Sequence, residues 1–96
     1  MRRDEAVRLL AEHRAELEAM GVTSLALFGS VARDEAGPDS DVDVIIDVRH
    51  PFSLFDLAGV HLRLEEILGS KVDVATEGGM RPRYRERIER DLIYVG

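Results

Sequence analysis

The chain has 96 residues, 45% hydrophobic and 33% charged, with a formal net charge of −6 and no cysteine. These values predict one soluble globular domain over residues 1–96 and exclude a disordered chain, a disulfide scaffold and a thiolate zinc site. The acidic balance argues against direct, sequence-independent nucleic-acid binding. No apolar run approaches the roughly 20 residues that span a bilayer, and the N-terminus has no signal-peptide core, so a cytoplasmic protein is expected.

The first predicted element is a helix, because Val7, Leu10, Leu17 and Met20 recur near helical spacing and Gly21 stops it. Ser24 to Phe28 is a short apolar run ending at Gly29, which predicts a strand buried on both faces. Gly29-Ser30 leads into Val31-Ala32-Arg33, which can form a helical turn. Residues 34 to 40, DEAGPDS, are loop chemistry, punctuated at Gly37-Pro38. A second strand is predicted from Asp41 to Val48. Its alternation puts Val42, Val44, Ile46 and Val48 on one face and Asp41, Asp43, Ile45 and Asp47 on the other.

His50-Pro51 breaks this strand, and Ser53 can cap a helix with Asp56 in its first turn. Leu54, Leu57, Ala58, Leu62, Leu64 and Leu68 supply its apolar positions, and Gly69 ends it. Core packing is the expectation for Phe52, Leu54 and Phe55, with an exposed partner patch as the alternative. Lys71 to Thr76 is a third strand, with Val72 and Val74 on one face and Asp73 on the other. Glu77-Gly78-Gly79 is a loop. Pro82 opens a short arginine-rich helix to about Arg90, expected to be a solvated face with a Glu86–Arg90 pair. Tyr84 and Tyr94 are expected to pack, and Leu92 to Val95 forms a last strand. His13, His50 and His61 lack metal-ligand spacing. The alternation predicts an α/β (α+β) domain, a small mixed sheet of about four strands flanked by helices. The direction of pairing across the link from Phe28 to Asp41 stays open.

Asp41 and Asp43 share one strand face, where two ionised carboxylates repel each other and raise each other's pKa. A divalent cation removes that conflict. Mg²⁺ prefers hard oxygen ligands and binds through one or two carboxylates plus water and substrate phosphates. Two such ions can clamp the attacking and leaving oxygens of a phosphoryl or nucleotidyl transfer. Asp73, a lone acid in an apolar strand, is the candidate third carboxylate. Asp47, further along, is expected to be a solvated strand-end charge.

Gly29 lets the backbone approach a ligand closely, and the Ser30 hydroxyl can cap the turn or bond a phosphate oxygen. Arg33 either stabilises phosphate charge or pairs with Asp34, Glu35 or Asp39; both options stay open.

Gly29-Ser30-x-Ala32-Arg33, followed by Ser40-Asp41-x-Asp43-Val44, resembles the signature of the polymerase-β-like nucleotidyltransferase superfamily. The short length and surrounding residues resemble its minimal nucleotidyltransferase branch. The resemblance runs over nearly the whole chain and reaches Lys71-Val72-Asp73-Val74, where the family carries a third carboxylate. It implies the nucleotidyltransferase fold and a Mg²⁺-dependent, two-ion transfer of a nucleoside monophosphate, with AMP from ATP foremost and pyrophosphate leaving. Gly29 and Ser30 would hold the triphosphate. Asp41 and Asp43 would bind metal. Asp73 would complete the metal site and help deprotonate the incoming hydroxyl. One residue departs from the pattern: Asp34 stands where many members have glycine.

The resemblance further implies pairing with a small helical HEPN toxin, in a hetero-oligomer in which the chain is the antitoxin and a tyrosine hydroxyl of the toxin is the acceptor. At 96 residues the chain has no room for a substrate domain, so the acceptor is expected on another protein. Two alternatives stand beside this: an antitoxin that neutralises its partner by contact alone, and an enzyme modifying a small molecule.

Overall fold

The structure, a computed structural model, describes residues 1–96 except Pro38 and Met80, and gives Tyr84 and Arg87 by backbone only. The turn signal at Pro38, the packing expected of Tyr84 and the part of Arg87 in the basic face therefore lie outside the described residues.

The predicted first helix is two. α1 (Arg3–Glu12) and α2 (Arg14–Ala19) meet at His13, whose φ of −106° and ψ of 11° leave helical geometry. Ala6, Leu10 and Leu17 are its buried anchors. Gly21, at φ 105°, turns the chain into β1 (Val22–Phe28). Then come α3 (Gly29–Ala32), β2 (Val42–Val48), α4 (Leu54–Leu68), β3 (Val72–Thr76), a 3-10 turn at Glu77–Gly79, α5 (Pro82–Glu89) and β4 (Ile93–Tyr94).

The strands form one four-stranded sheet in the order β3-β2-β1-β4. β1 pairs antiparallel with both β2 and β4, and β2 pairs parallel with β3. The mixed sheet flanked by helices is the expected fold class, and the Phe28–Asp41 link is the antiparallel return.

Alternation decides what each face buries. Leu25, Leu27, Val42, Val44, Ile46 and Val72 meet α1, α2 and α4 in the main core. Ala26, Phe28 and Ile45 point the other way, where Ile88 of α5 and Leu92 cover them in a smaller cluster. That second face is only partly roofed, and the acids lie on it.

α4 is built as its sequence requires. Ser53 Oγ accepts from Asp56 N–H at 3.1 Å, and Asp56 Oδ2 accepts from Ser53 N–H at 2.8 Å, closing a capping box. Gly69 ends the helix in the left-handed region at φ 63°. Val60, Leu64, Ile67 and Leu68 face the core. Leu54 and Leu62 do not; they and Phe55 are exposed, which corrects the core packing expected of Leu54 and Phe55. Phe52 is half-buried against the core. On α5 the observed ion pairs are Arg85–Glu77 and Arg85–Glu89 rather than Glu86–Arg90. Among the described residues no helix is long and apolar enough to cross a membrane.

The departure at Asp34 has a structural reason. Its φ is 59°, the left-handed conformation that favours glycine and that aspartate tolerates better than most residues. Asp34 N–H donates to Val31 O at 3.0 Å and Glu35 N–H to Ser30 O at 2.8 Å, the paired bonds of a Schellman ending to α3. Its carboxylate Oδ1 then accepts from Arg3 N–H at 3.1 Å, capping α1, which has no side-chain cap of its own. Asp34→Ala should lower equilibrium unfolding stability by about 1 to 2 kcal/mol, and Asp34→Gly by less, because glycine recovers the backbone geometry without the cap.

A second tie joins α2 to α4. Arg63 Nη2 donates to Glu16 Oε1 at 3.0 Å, and His13 Nδ1 lies 3.2 Å from the same oxygen. Arg63, then His13, holds the Glu16 carboxyl down from 4.5 to about 2. Folding therefore favours the carboxylate, so the tie contributes stability above pH 4.5 that is lost as pH falls toward about 2. The pair is exposed, so salt screens it. Denaturant midpoints across that pH range should fall less steeply for Glu16→Gln than for the unmodified chain, and the difference should shrink in high salt.

Candidate active site

The register brings the predicted acids together. Asp43 is opposite Phe28 on β1 and opposite Asp73 on β3. Strands in a sheet lie about 4.8 Å apart, so Asp43 and Asp73 are direct neighbours on one face. Asp41 precedes β2 with the same parity and is exposed. It opens on a hollow of about 330 Å³ lined by Asp39, Ser40, Asp41, Ser70 and Lys71. Asp47 is exposed at the far end of β2 and its Oδ1 accepts from Val48 N–H at 3.0 Å, a solvated strand-end charge as expected.

None of the described residues donates a hydrogen bond or forms an ion pair to Asp41, Asp43 or Asp73. Burial first, then the negative charges of Asp73 and Asp41, pushes the Asp43 carboxyl above the ordinary carboxylate value, and Arg33 pulls it partly back. Three acids thus crowd one face with their charge largely uncompensated.

Gly29 is built around one of them. Its φ is 72°, and a Cβ placed on it would lie 2.2 Å from Asp43 Oδ2. The carboxylate occupies the space where any other residue would carry its side chain. Ser30 lies in the first turn of α3 but does not cap it: the N-cap is Phe28, with no side-chain capping bond. Its hydroxyl makes no hydrogen bond among the described residues. Arg33 settles on pairing, with Nε donating to Glu35 Oε2 at 3.1 Å and Nη1 to Asp91 Oδ2 at 3.1 Å. Glu35 was one of the expected partners; Asp91, 58 residues downstream, has no sequence signal.

Sequence reasoning missed two positioning residues. β3 is an edge strand, and α4 takes up both outward backbone groups of Val72. His61 Nε2–H donates to Val72 O at 2.6 Å, and Glu65 Oε2 accepts from Val72 N–H at 3.2 Å. On the inner side Val42 N–H donates to Lys71 O at 2.9 Å. The backbone leading to Asp73 is therefore held on both sides, at Val72 on the outer side and at Lys71 on the inner. An i,i+4 His–Glu pair on a helix is the only sequence trace of this device, and it does not reveal a strand partner.

The donor set suits a hard cation. All three groups are carboxylates, which match Mg²⁺ rather than a soft metal. Among the described residues no group of three or more His, Cys, Asp or Glu side chains forms a ready-made metal cage.

The four-stranded mixed sheet, the glycine turn and the acids beside it define a nucleotidyltransferase class of site. The chain belongs to the nucleotidyltransferase domain family, which matches residues 8–95. It is 40% identical over 93 residues to "Putative protein adenylyltransferase MJ1217" of Methanocaldococcus jannaschii, covering 95% of each chain. It is 33% identical over 93 residues to protein adenylyltransferase MntA of Thermococcus cleftensis, covering 96% of this chain and 94% of that one. A solved "putative minimal nucleotidyltransferase" superposes with a TM-score of 0.82 at 37% identity, covering 97% of this chain and 95% of the other. At the level of fold alone, a Shewanella oneidensis MNT antitoxin complexed with a tri-AMPylated HEPN toxin gives a TM-score of 0.67 at 14% identity, covering 94% of this chain and 71% of that one.

Gly29→Ala combines a left-handed backbone with a collision against Asp43, so something must shift. Nucleotidyl transfer should fall by about 100-fold, as for a comparable misplacement of a reacting group, while far-ultraviolet circular dichroism stays that of the folded chain. Unchanged activity would show that the carboxylate position is dispensable.

Proposed function

We propose that residues 1–96 form one minimal catalytic domain that transfers AMP from ATP to a hydroxyl, foremost a tyrosine hydroxyl, of a HEPN toxin in the cytoplasm, and so acts as its antitoxin. The observation that carries this reading is the in-register approach of Asp43 and Asp73 beside Gly29. The names of the relatives, protein adenylyltransferases, support the reaction type, and the AMPylated HEPN toxin in the structurally similar complex supports the acceptor.

Asp41, Asp43 and Asp73 would hold Mg²⁺, two ions in the full site. Bound there, Mg²⁺ would neutralise the triphosphate and stabilise charge on the attacking and leaving oxygens. The backbone at Gly29 and the Ser30 hydroxyl, which makes no hydrogen bond among the described residues, would receive phosphate oxygens. Arg33, tied by Glu35 and Asp91, adds positive potential there rather than a free guanidinium fork. Asp73, exposed at the sheet edge, is open to an incoming hydroxyl and is the acceptor for its proton. The hydroxyl oxygen bonds to the α-phosphorus, the bond to the β-phosphate oxygen breaks, and pyrophosphate departs. Holding both reactants on one face supplies much of the rate through proximity.

The test is incubation of the purified chain with Mg²⁺, α-labelled ATP and a HEPN toxin whose ribonuclease it neutralises. The toxin should gain label, with an intact-mass increase of whole AMP units, and a chelator should stop the reaction. Asp43→Asn should lose transfer by at least about 100-fold while still forming the complex. Neutralisation that survives in Asp41→Asn with Asp43→Asn would instead mean silencing by contact alone.

A further inference from the structure

Leu54, Phe55 and Leu62 are 83%, 90% and 63% exposed. With exposed Ala58 they recur at helical spacing on the face of α4 turned away from the sheet. Large apolar side chains lying together in water mark an interaction site. The patch continues into a groove of about 490 Å³ at the helix N-terminus, walled by Val48, Phe52, Leu54 and Leu57, with Asp47 and His50 at its rim. Gly59 lies between Phe55 and Leu62 on the same face. A Cβ built on Gly59 meets nothing within 4 Å, so packing inside the chain gives no reason for a glycine that weakens the helix. A backbone passing close over α4 would.

The surrounding charge selects the occupant. Asp47, Asp56 and Glu66 are exposed beside the patch, while Arg63 on α4 is consumed by Glu16. Arg49 and His50 lie near the groove, and His61 on α4 is turned to Val72 O. A second copy would bring the same acids, and a second net charge of −6, against this face. A partner helix with an apolar stripe between basic side chains would complement it.

We propose that the outer face of α4 and its N-terminal groove form a docking surface for such a helix of the protein substrate, separate from the active site. This rests on the reading that the acceptor is another protein, a HEPN toxin. The groove adjoins the end of β2 and the acids its beginning, so at 3.3 Å per residue the two lie roughly 20 Å apart. Docking here anchors the partner, and a different part of it reaches the acids.

The test measures binding of the same HEPN toxin without ATP, then transfer with it. Phe55→Asp with Leu62→Asp should raise Kd by at least about 30-fold, as for loss of an interface hot spot, and raise KM for the toxin with kcat at saturation retained. Glu66→Lys should weaken binding, and Gly59→Ala should weaken it while raising the thermal midpoint of the free chain. Toxin binding unchanged in the double variant overturns the docking surface and leaves the transfer reading intact. Binding lost in the double variant, with no transfer by the unmodified chain, keeps the surface and sinks the transfer reading. Stronger binding by Glu66→Lys overturns the basic-flanked occupant. A free chain that sediments as a dimer, made monomeric by the double variant, assigns the face to a second copy and also overturns the proposal.

Discussion

The structure depends on one close approach, the Asp43 carboxylate over the Cα of Gly29. Antiparallel pairing of β1 and β2 places Phe28 opposite Asp43, and the chain must leave the sheet at the next residue. It can do so only beneath the carboxylate, and only without a side chain. That constraint joins the glycine turn, proposed to receive phosphate, to the strand whose carboxylates are proposed to hold metal. Neither half is independent of the other. Repulsion among the acids acts against the fold, and the favourable terms that offset it are remote: burial of Val42, Val44 and Ile46 on the opposite face of the same sheet.

A second dependency runs through the edge of the sheet. β3 carries Asp73 yet, among the described residues, has β2 as its only strand neighbour. Edge strands expose a row of unpaired backbone groups and slip readily. Here His61 and Glu65 occupy the outward groups of Val72, and the helix that carries them is fixed at both ends by its capping box and Gly69. Packing of α4 on the main core is thereby transmitted to the position of one carboxylate on the other face. Asp34 plays a comparable part for the glycine turn, tying the end of α3 to the start of α1.

Much of this was legible in the sequence because it follows from short-range rules. Period-two alternation separated the two faces of β2 correctly, and the same rule set Asp73 on the face of β3 opposite Val72 and Val74. Ser53 with Asp56, and Gly69, marked both ends of α4. What stayed hidden depends on distance along the chain. Strand direction and register are set by sheet assembly, so the pairing of Asp43 with Asp73 was an expectation about a face and not about a neighbour. The Arg33–Asp91 pair spans 58 residues and leaves no local pattern. The break at His13 occurs where the apolar spacing carries straight on. α4 misled for another reason: it is apolar on more than one side, so periodicity could not say which leucines the core would take.

That ambiguity in α4 has a physical origin that bears on how such a small domain acts. A helix with a single buried face needs apolar residues only on that face. α4 buries Val60, Leu64, Ile67 and Leu68 and still shows Leu54, Phe55 and Leu62 to solvent. In a chain of 96 residues, exposed apolar area of this kind is a cost to solubility that the fold itself does not require. The acids carry a parallel cost, since none of them has a hydrogen-bond or ion-pair partner among the described residues. Both liabilities are of the kind that binding relieves, one by a cation with a triphosphate and the other by an apolar helix. They lie at opposite ends of β2 and on opposite sides of the sheet. A strand held in register from both sides is stiff, so the two sites keep a constant separation of roughly 20 Å. The domain therefore works as a fixed spacer, holding a partner at one end while the chemistry proceeds at the other.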